Sequence, residues 1–346
     1  MTRIAFAIPG DIDTPTGGYR YDRALMAALS AAGHTLTHIP LAATFPAPSE
    51  ADVAQALAAL SAADADALLV DGLAYAVLPA NRLAALTTPL VALVHHPLAL
   101  ETGLAASDVA RLTRAETAAL TAAHHVVVTS APTAQTLVEG FGVAREAITI
   151  AVPGIDPLWF DVENSPTAPP TLVSVGSLTP RKGHDTLLAA MADVDPRVRL
   201  DLFGSGAFDP PHAARLEALA GPLGDRVRLR GAAPEPTLAK AYAGATAFVL
   251  ATHYEGFGMV FAEALAAGLP VIGTTGGAVP SVVPPEAGIL VPPGDAMALT
   301  KAITAVVADP ARRNAMAAAA RPAAQKFGTW ADTAATVART IEGCLP

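Results

Sequence analysis

The sequence predicts an α/β protein made of two doubly wound domains. Three observations carry that expectation. A length of 346 residues is the natural size of two domains of roughly 150–180 residues each. Short β-rich apolar runs alternate along the chain with alanine-rich helical patterns, the signature of βαβ units. Residues 157–170 hold four prolines and no periodicity, which reads as a linker between the halves. Apolar residues make up 52% of the chain and aromatics only 5%. Alanine therefore carries much of the apolar share, and closely packed helices should be plentiful.

Composition excludes several classes. One cysteine, Cys344, rules out an internal disulfide framework and a cysteine metal site, and suggests a reducing, cytoplasmic setting. No apolar run reaches the roughly 18 residues of a membrane span. The opening MTRIAFAIPGD reads as a first strand rather than a leader, because its apolar run stops at Pro9. Residues 1–160 carry seven arginines, no lysine and 14 acidic residues, a charge of −7, whereas residues 161–346 carry 15 basic and 17 acidic residues. That balance offers no basic footprint for nucleic acid. It also argues against docking of the first half on anionic lipid by charge alone.

In the first half, strands are expected at 3–8, 35–39, 67–71, 90–94, 125–129 and 147–151. Helices are expected at 19–32, 50–63, 106–123 and 132–140. Gly33 suits the left-handed position after the first helix, and Ser107 is the expected N-cap of the third. The loop after the first strand ends Pro-Thr-Gly17-Gly18 and lacks G-x-G-x-x-G, so no dinucleotide fingerprint is present. Gly17 and Gly18 read either as a pair that lets backbone approach a ligand or as a plain helix cap. Tyr19, Arg20, Tyr21 and Arg23 face either a ligand or solvent. Asp64-Ala-Asp66 spells D-x-D, a metal–diphosphate signature elsewhere, but it stands at a helix end without supporting carboxylates and reads as solvated surface. The strand at 90–94 delivers His95-His96-Pro97 at its carboxyl end, where open α/β sheets bind ligands. Adjacent residues of an extended chain point to opposite sides. The two histidines are therefore not expected to chelate one ion, and His96 is expected to be packed or capping. Glu101 is a further candidate on the same side.

The second half continues with strands at 171–175, 198–203, 227–230, 246–251, 270–274 and 288–291. After the first comes Gly176-Ser-Leu-Thr-Pro-Arg181-Lys182-Gly183; the chain has only four lysines, so one placed in this loop is informative. The stretch 246–267, TAFVLATHYEGFGMVFAEALAA, passes from strand through a glycine-punctuated turn into a helix. Such a helix start presents backbone N–H groups and a positive dipole end to an anion. Gly256 and Gly258 allow close approach. Glu255 and Glu263 flank the turn and suit sugar hydroxyls, which need acceptors.

The segment 255–263, EGFGMVFAE, resembles the E-x7-E motif of the retaining glycosyltransferases of family GT4. That resemblance covers nearly the whole chain and is more specific over 171–330 than over 1–160. It implies a GT-B fold, with two Rossmann-like domains facing across a cleft. Residues 1–160 would form the acceptor-side domain and 161–325 the nucleotide-sugar domain. Residues 326–346, with Phe327 and Trp330, would form a helix crossing back to the first. The resemblance assigns Glu255 to the donor sugar and Glu263 to the ribose. The amides near Gly258, Met259 and Val260 would hold the phosphate. Lys182 would neutralise the diphosphate. Many members carry arginine directly after the glycine, where this chain has Ser177, and Arg181 is the candidate to supply that charge. Gly17 and Gly18 match the glycine pair near the donor phosphates or acceptor. His95, by its place in PLVALVH (89–95), matches the histidine at the acceptor side of the donor sugar. Val152-Pro-Gly-Ile-Asp156 resembles the segment closing the first domain. Gly276-Gly277-Ala278 would line the donor pocket, followed by Pro280-Ser281 where the family often has Pro-Glu.

The implied reaction is metal-independent hexosyl transfer from a UDP- or GDP-linked sugar to a hydroxyl acceptor, with retention and no further cofactor. Two alternatives stand beside it. One is a nucleotide-sugar-binding protein of this fold without transferase activity. The other is an epimerase of the same fold, which lacks this E-x7-E context.

Overall fold

Six apolar runs of the first half pair into one parallel sheet, in the order β2-β1-β3-β4-β5-β6. They are β1 (Arg3–Pro9), β2 (Thr35–Leu41), β3 (Ala67–Asp71), β4 (Leu90–Val94), β5 (His125–Val128) and β6 (Ile148–Ile150). The computed structural model describes residues 1–346 and divides them into two units. Met1–Gly154 with Thr329–Pro346 form unit 1, and Ile155–Gly328 form unit 2. In unit 1, β3 and β4 are buried along their whole length, which is why ALLVD and LVALV read as continuous apolar runs rather than alternating ones. β2 lies at the sheet edge, half-exposed, and there tolerates Pro40, which has no N–H to donate.

The helices of unit 1 connect these strands. They are α1 (Gly17–Ala31), α2 (Glu50–Ala62), α3 (Gly72–Tyr75), α4 (Ala80–Leu83), α5 (Ala106–Leu120) and α6 (Ala131–Phe141). Helix α1 starts at the Gly17-Gly18 pair, capped by Thr16, whose side chain accepts from Tyr19 N. It ends before Gly33, which has the left-handed φ of 93° expected of it. Ser107 does not cap α5. The cap position falls two residues earlier, at Ala105, and leaves Ser107 inside the first turn beside Asp108. Asp64 and Asp66 of the D-x-D tripeptide both pair with Arg3.

Unit 2 repeats the plan with strands β7 (Thr171–Val175), β8 (Arg199–Phe203), β9 (Val227–Gly231), β10 (Ala247–Val249), β11 (Val271–Thr274) and β12 (Gly288–Val291). Its order is β12-β11-β10-β7-β8-β9. Counted from its own first strand, this is the 3-2-1-4-5-6 arrangement of the Rossmann fold, with the switch point between β7 and β10. Helices α7 (Pro157–Phe160), α8 (His184–Ala192), α9 (Pro210–Ala220), α10 (Glu235–Gly244), α11 (Met259–Ala266), α12 (Val279–Val282), α13 (Ala296–Ala308) and α14 (Pro310–Ala324) complete it. The last helix, α15 (Trp330–Gly343), belongs to unit 1, where it packs on α1.

The division differs from the expected boundaries. Residues 157–170 are part of unit 2 rather than a free linker. Trp159 of α7 is fully buried, its ring 5.2 Å from that of Tyr242. Asn164 Nδ2 donates to the carbonyls of Tyr242 (2.9 Å) and Ala245 (3.0 Å), and Ser165 N donates to Ala243 O. A buried tryptophan and a row of backbone bonds anchor the stretch despite its prolines. The units therefore part at Gly154/Ile155. At the other end Gly328, with φ 78° and ψ −164°, breaks the expected 326–346 helix. Phe327 stays with unit 2, on the ring of Phe257, and Trp330 goes with unit 1, on the ring of Tyr21.

Candidate functional site

In unit 2 the switch point brings two loops together. The loop after β7 folds into a tight turn over Pro180–Lys182 and ends at Gly183, which has φ 64°. A Cβ on Gly183 would run into the carbonyl oxygen of Ala251, so glycine is required there twice, for conformation and for space. That close approach lets the two loops bond directly. Arg181 O accepts from His253 N (2.7 Å) and from the Thr252 hydroxyl (3.0 Å). The Arg181 guanidinium donates to Tyr254 O (2.9 Å). Lys182 Nζ donates to Glu255 Oε1 at 2.7 Å, and Arg181 Nη1 lies 3.5 Å from Glu255 Oε2. Burial alone would raise the Glu255 carboxyl, but Lys182 and then Arg181 outweigh it and hold the group below the usual carboxylate range.

Gly258, with φ 92°, takes the N-cap position of α11 without any side-chain cap. The first-turn amides, Met259 and Val260 among them, thus meet the helix start with no competing side chain of the cap residue. Glu263 is buried on α11. Gly276 and Gly277 press on the backbone of residues 252–255, where a Cβ on either would clash, and Ala278 N donates to Glu255 O at 2.8 Å. The structure thus gathers Arg181, Lys182, Glu255 and the α11 N-terminus at one switch point. The cluster carries two cations against one carboxylate, plus a helix dipole, and suits an anion with hydroxyls attached.

Unit 1 carries a second constellation at the carboxyl ends of β1, β3 and β4. His95, just beyond β4, points Nε2 at two buried carboxylates. Asp22 Oδ1 is 2.9 Å away and Asp71 Oδ2 is 3.4 Å away. Asp22 lies on the inward face of α1; Asp71 ends β3 and its Oδ1 accepts from Leu73 N at 2.8 Å, capping α3. The Tyr21 ring meets the His95 ring edge-on at 5.0 Å, and its hydroxyl donates to Ala151 O. Gly18 lies against the other edge of the imidazole, where its Cβ would make ordinary contact with Cδ2, whereas Gly17 faces open space. Burial pulls the imidazole down, and Asp22 and then Asp71 overcome it, pushing it up to about 10. Burial raises Asp22, with His95 opposing. Glu116 of α5 reaches back under the loop that follows β4, its Oε2 accepting from Leu98 N at 3.0 Å. Burial pushes its carboxyl up to about 8.

Of the other candidates, Tyr21 is core, and Tyr19 donates to Pro9 O at 2.7 Å. Arg23 donates to Ile12 O. His96 is largely buried, its Nε2 3.8 Å from the half-exposed Glu101. Sequence reasoning did not single out Asp22 or Asp71. An aspartate ending a strand and one at the sixth position of a helix carry no signal until the sheet register is known. Asp71 lies opposite Leu93, two residues before His95, and only that pairing reveals it.

Comparison with known proteins gives a consistent picture. A family model described as glycosyl transferases group 1 matches residues 156–322. One described as glycosyltransferase family 4 matches residues 19–158. The chain is 31% identical over 230 residues to a D-inositol 3-phosphate glycosyltransferase of Xylanimonas cellulosilytica, covering 61% of this chain and 55% of that one. Over 171 residues it is 32% identical to a GDP-mannose-dependent monoacylated alpha-(1-6)-phosphatidylinositol monomannoside mannosyltransferase of Corynebacterium glutamicum, covering 46% and 44%. The chain spans about half the length of the curated relatives it matches. Among solved structures, sucrose-phosphate synthase from Thermosynechococcus elongatus superposes with a TM-score of 0.83 at 24% identity, over 99% of each chain. Anabaena HepE in complex with UDP-glucose gives 0.82 at 19% identity, over 99% of this chain and 100% of that one. At these identities the structural likeness shows the fold alone, and that fold is GT-B. No helix is long and apolar enough to cross a membrane.

Proposed function

The chain belongs to the group 1 glycosyltransferases of family 4, and from that premise we propose that it moves a hexosyl unit from a nucleotide-diphosphate sugar to a hydroxyl acceptor, with retention and without a metal. The observation that carries this reading is the Lys182–Glu255 pair, 2.7 Å long, set beside the uncapped N-terminus of α11. Lys182, Arg181 and the first-turn amides would stabilise charge growing on the leaving diphosphate, donors fixed before the reaction begins. Glu255 would hold the sugar and Glu263 the ribose. The acceptor oxygen attacks the anomeric carbon from the face that the diphosphate leaves. The bond to the phosphate oxygen breaks, and that oxygen takes the hydroxyl proton. UDP- and GDP-linked sugars are the first donors to test, because one relative is GDP-mannose-dependent and one structural neighbour holds UDP-glucose.

The test is turnover of UDP-glucose and GDP-mannose with a panel of hydroxyl acceptors in EDTA, with the anomeric configuration of the product read by proton NMR. A retained product in EDTA is expected. An inverted product or loss of activity in EDTA contradicts the mechanism, and binding without turnover favours a non-enzymatic binding protein.

A further inference from the structure

We propose that Asp22 and Asp71 are positioning residues that pin His95 as an imidazolium with Nε2 turned inward, so that Nδ1–H is its one group for a ligand and His95 acts as a donor, not as a base. The inference deepens the proposed function and rests on it for the class of ligand, a sugar oxygen.

The geometry leads to this in steps. Both carboxylates address the same nitrogen, at 2.9 and 3.4 Å. An oxygen at 2.9 Å from a ring nitrogen is a hydrogen-bond partner, so a proton sits on Nε2. Two buried carboxylates side by side repel each other unless a cation lies between them, and an imidazolium supplies it. Asp22 is fully buried, its Oδ2 accepts no hydrogen bond, and beside His95 only the charge of Arg23 favours its ionised form. Asp71 shares its charge with the Leu73 amide through Oδ1. Asp22 is therefore the stronger anchor. The remaining groups around the ring do not compete for its proton. The Tyr21 hydroxyl is spent on Ala151 O, the Tyr19 hydroxyl on Pro9 O, and the guanidinium of Arg23, the nearby cation, donates to Ile12 O. Gly18 brings only backbone to the ring edge. The ligand atoms of Asp22, Asp71 and His95 lie within 4.8 Å of one another, but the proton on Nε2 occupies the place an ion would take.

An imidazolium carries a proton on each nitrogen and can accept none. His95 therefore cannot take the acceptor's proton, and that proton goes to the departing phosphate oxygen as in the proposed reaction.

The experiment follows the imidazole signals of the full-length chain, labelled in histidine with carbon-13 and nitrogen-15, from about pH 5.5 to about pH 9.5. His95 is assigned by loss of its signal in His95→Gln. The wild type is expected to show imidazolium shifts throughout. Asp22→Asn keeps a hydrogen-bond acceptor but removes the charge, and should drop the midpoint at least tenfold in proton affinity. Asp71→Asn should do the same to a smaller extent, and serves if Asp22→Asn fails to fold. A wild-type midpoint near that of free histidine, or no change in either variant, overturns the proposal. So does a zinc-induced shift of the His95 signals that Asp22→Asn abolishes, since it would make the cluster a cation site. With UDP-glucose as probe, Asp22→Asn should lower kcat for donor cleavage about tenfold with KM little changed. Failure of UDP- and GDP-sugars to bind a wild type whose His95 is pinned supports the pinning and overturns the functional reading instead.

Discussion

At the scale of single residues, the central element is the buried ion pair of unit 2. Glu255 and Lys182 are each mostly shielded from water, with side-chain exposures of 8% and 13%. Removing one partner of such a pair strands the other. Lys182→Met should cost about 3 kcal/mol in urea unfolding, at the lower end for breaking a buried pair because Arg181 remains. Adding Glu255→Gln should recover part of that loss. The pH dependence has a definite sign. The Glu255 carboxyl is depressed in the folded state, so the pair's contribution is present above the unfolded carboxylate range and lost as pH falls through the folded value. Wild type and Lys182→Met should therefore converge in stability in acid. If the variant is as stable as wild type at neutral pH, the pair is not a structural element. Residues at this scale were unequally legible. Lys182 and Glu255 stand out in the sequence because lysine is scarce and the glycines mark the turn. Asp22 does not stand out, because its partners are 49 and 73 positions away and only the sheet order brings them together.

Elements were legible where their burial leaves a pattern. Strands β3, β4 and β7 match the expected ranges because short, β-rich, mostly apolar runs bounded by turns are too short to be read as helices. The stretch 157–170 was not legible: its prolines signal a linker, while Trp159 buries itself and five bonds to the α10 end tie the chain down. Glycines separate by the same logic. Gly33 and Gly183 both have positive φ, but a Cβ at Gly33 meets nothing and one at Gly183 meets the Ala251 carbonyl. Gly33→Ala should therefore cost about 1 kcal/mol, the strain of the left-handed conformation alone. Gly183→Ala should cost more than about 3 kcal/mol, because the β7 and β10 loops must separate as well. Equal losses by chemical denaturation would contradict that account of the loop junction.

At the scale of the whole molecule, each unit is a parallel sheet that places its chemistry at strand carboxyl ends beside a change of strand order. In unit 1 the order turns between β1 and β3, which sets α1 and its Asp22 beside Asp71. In unit 2 it turns between β7 and β10, which sets Lys182 beside Glu255. Alternating strands and helices made this architecture legible, but unit 1 is closed by a segment from the far end of the chain, 329–346. The bounds of that segment follow from the backbone at Gly328 rather than from periodicity. The central claim is that the unit 2 switch point holds a nucleotide-diphosphate sugar. Its most direct test is thermal stabilisation by UDP-, GDP- and ADP-sugars, measured for wild type beside Lys182→Ala and Glu263→Ala. Saturating amounts of one nucleotide sugar should raise the wild-type midpoint by roughly 4 °C or more and leave both variants unmoved; a well-folded wild type that none of them stabilises would contradict the claim.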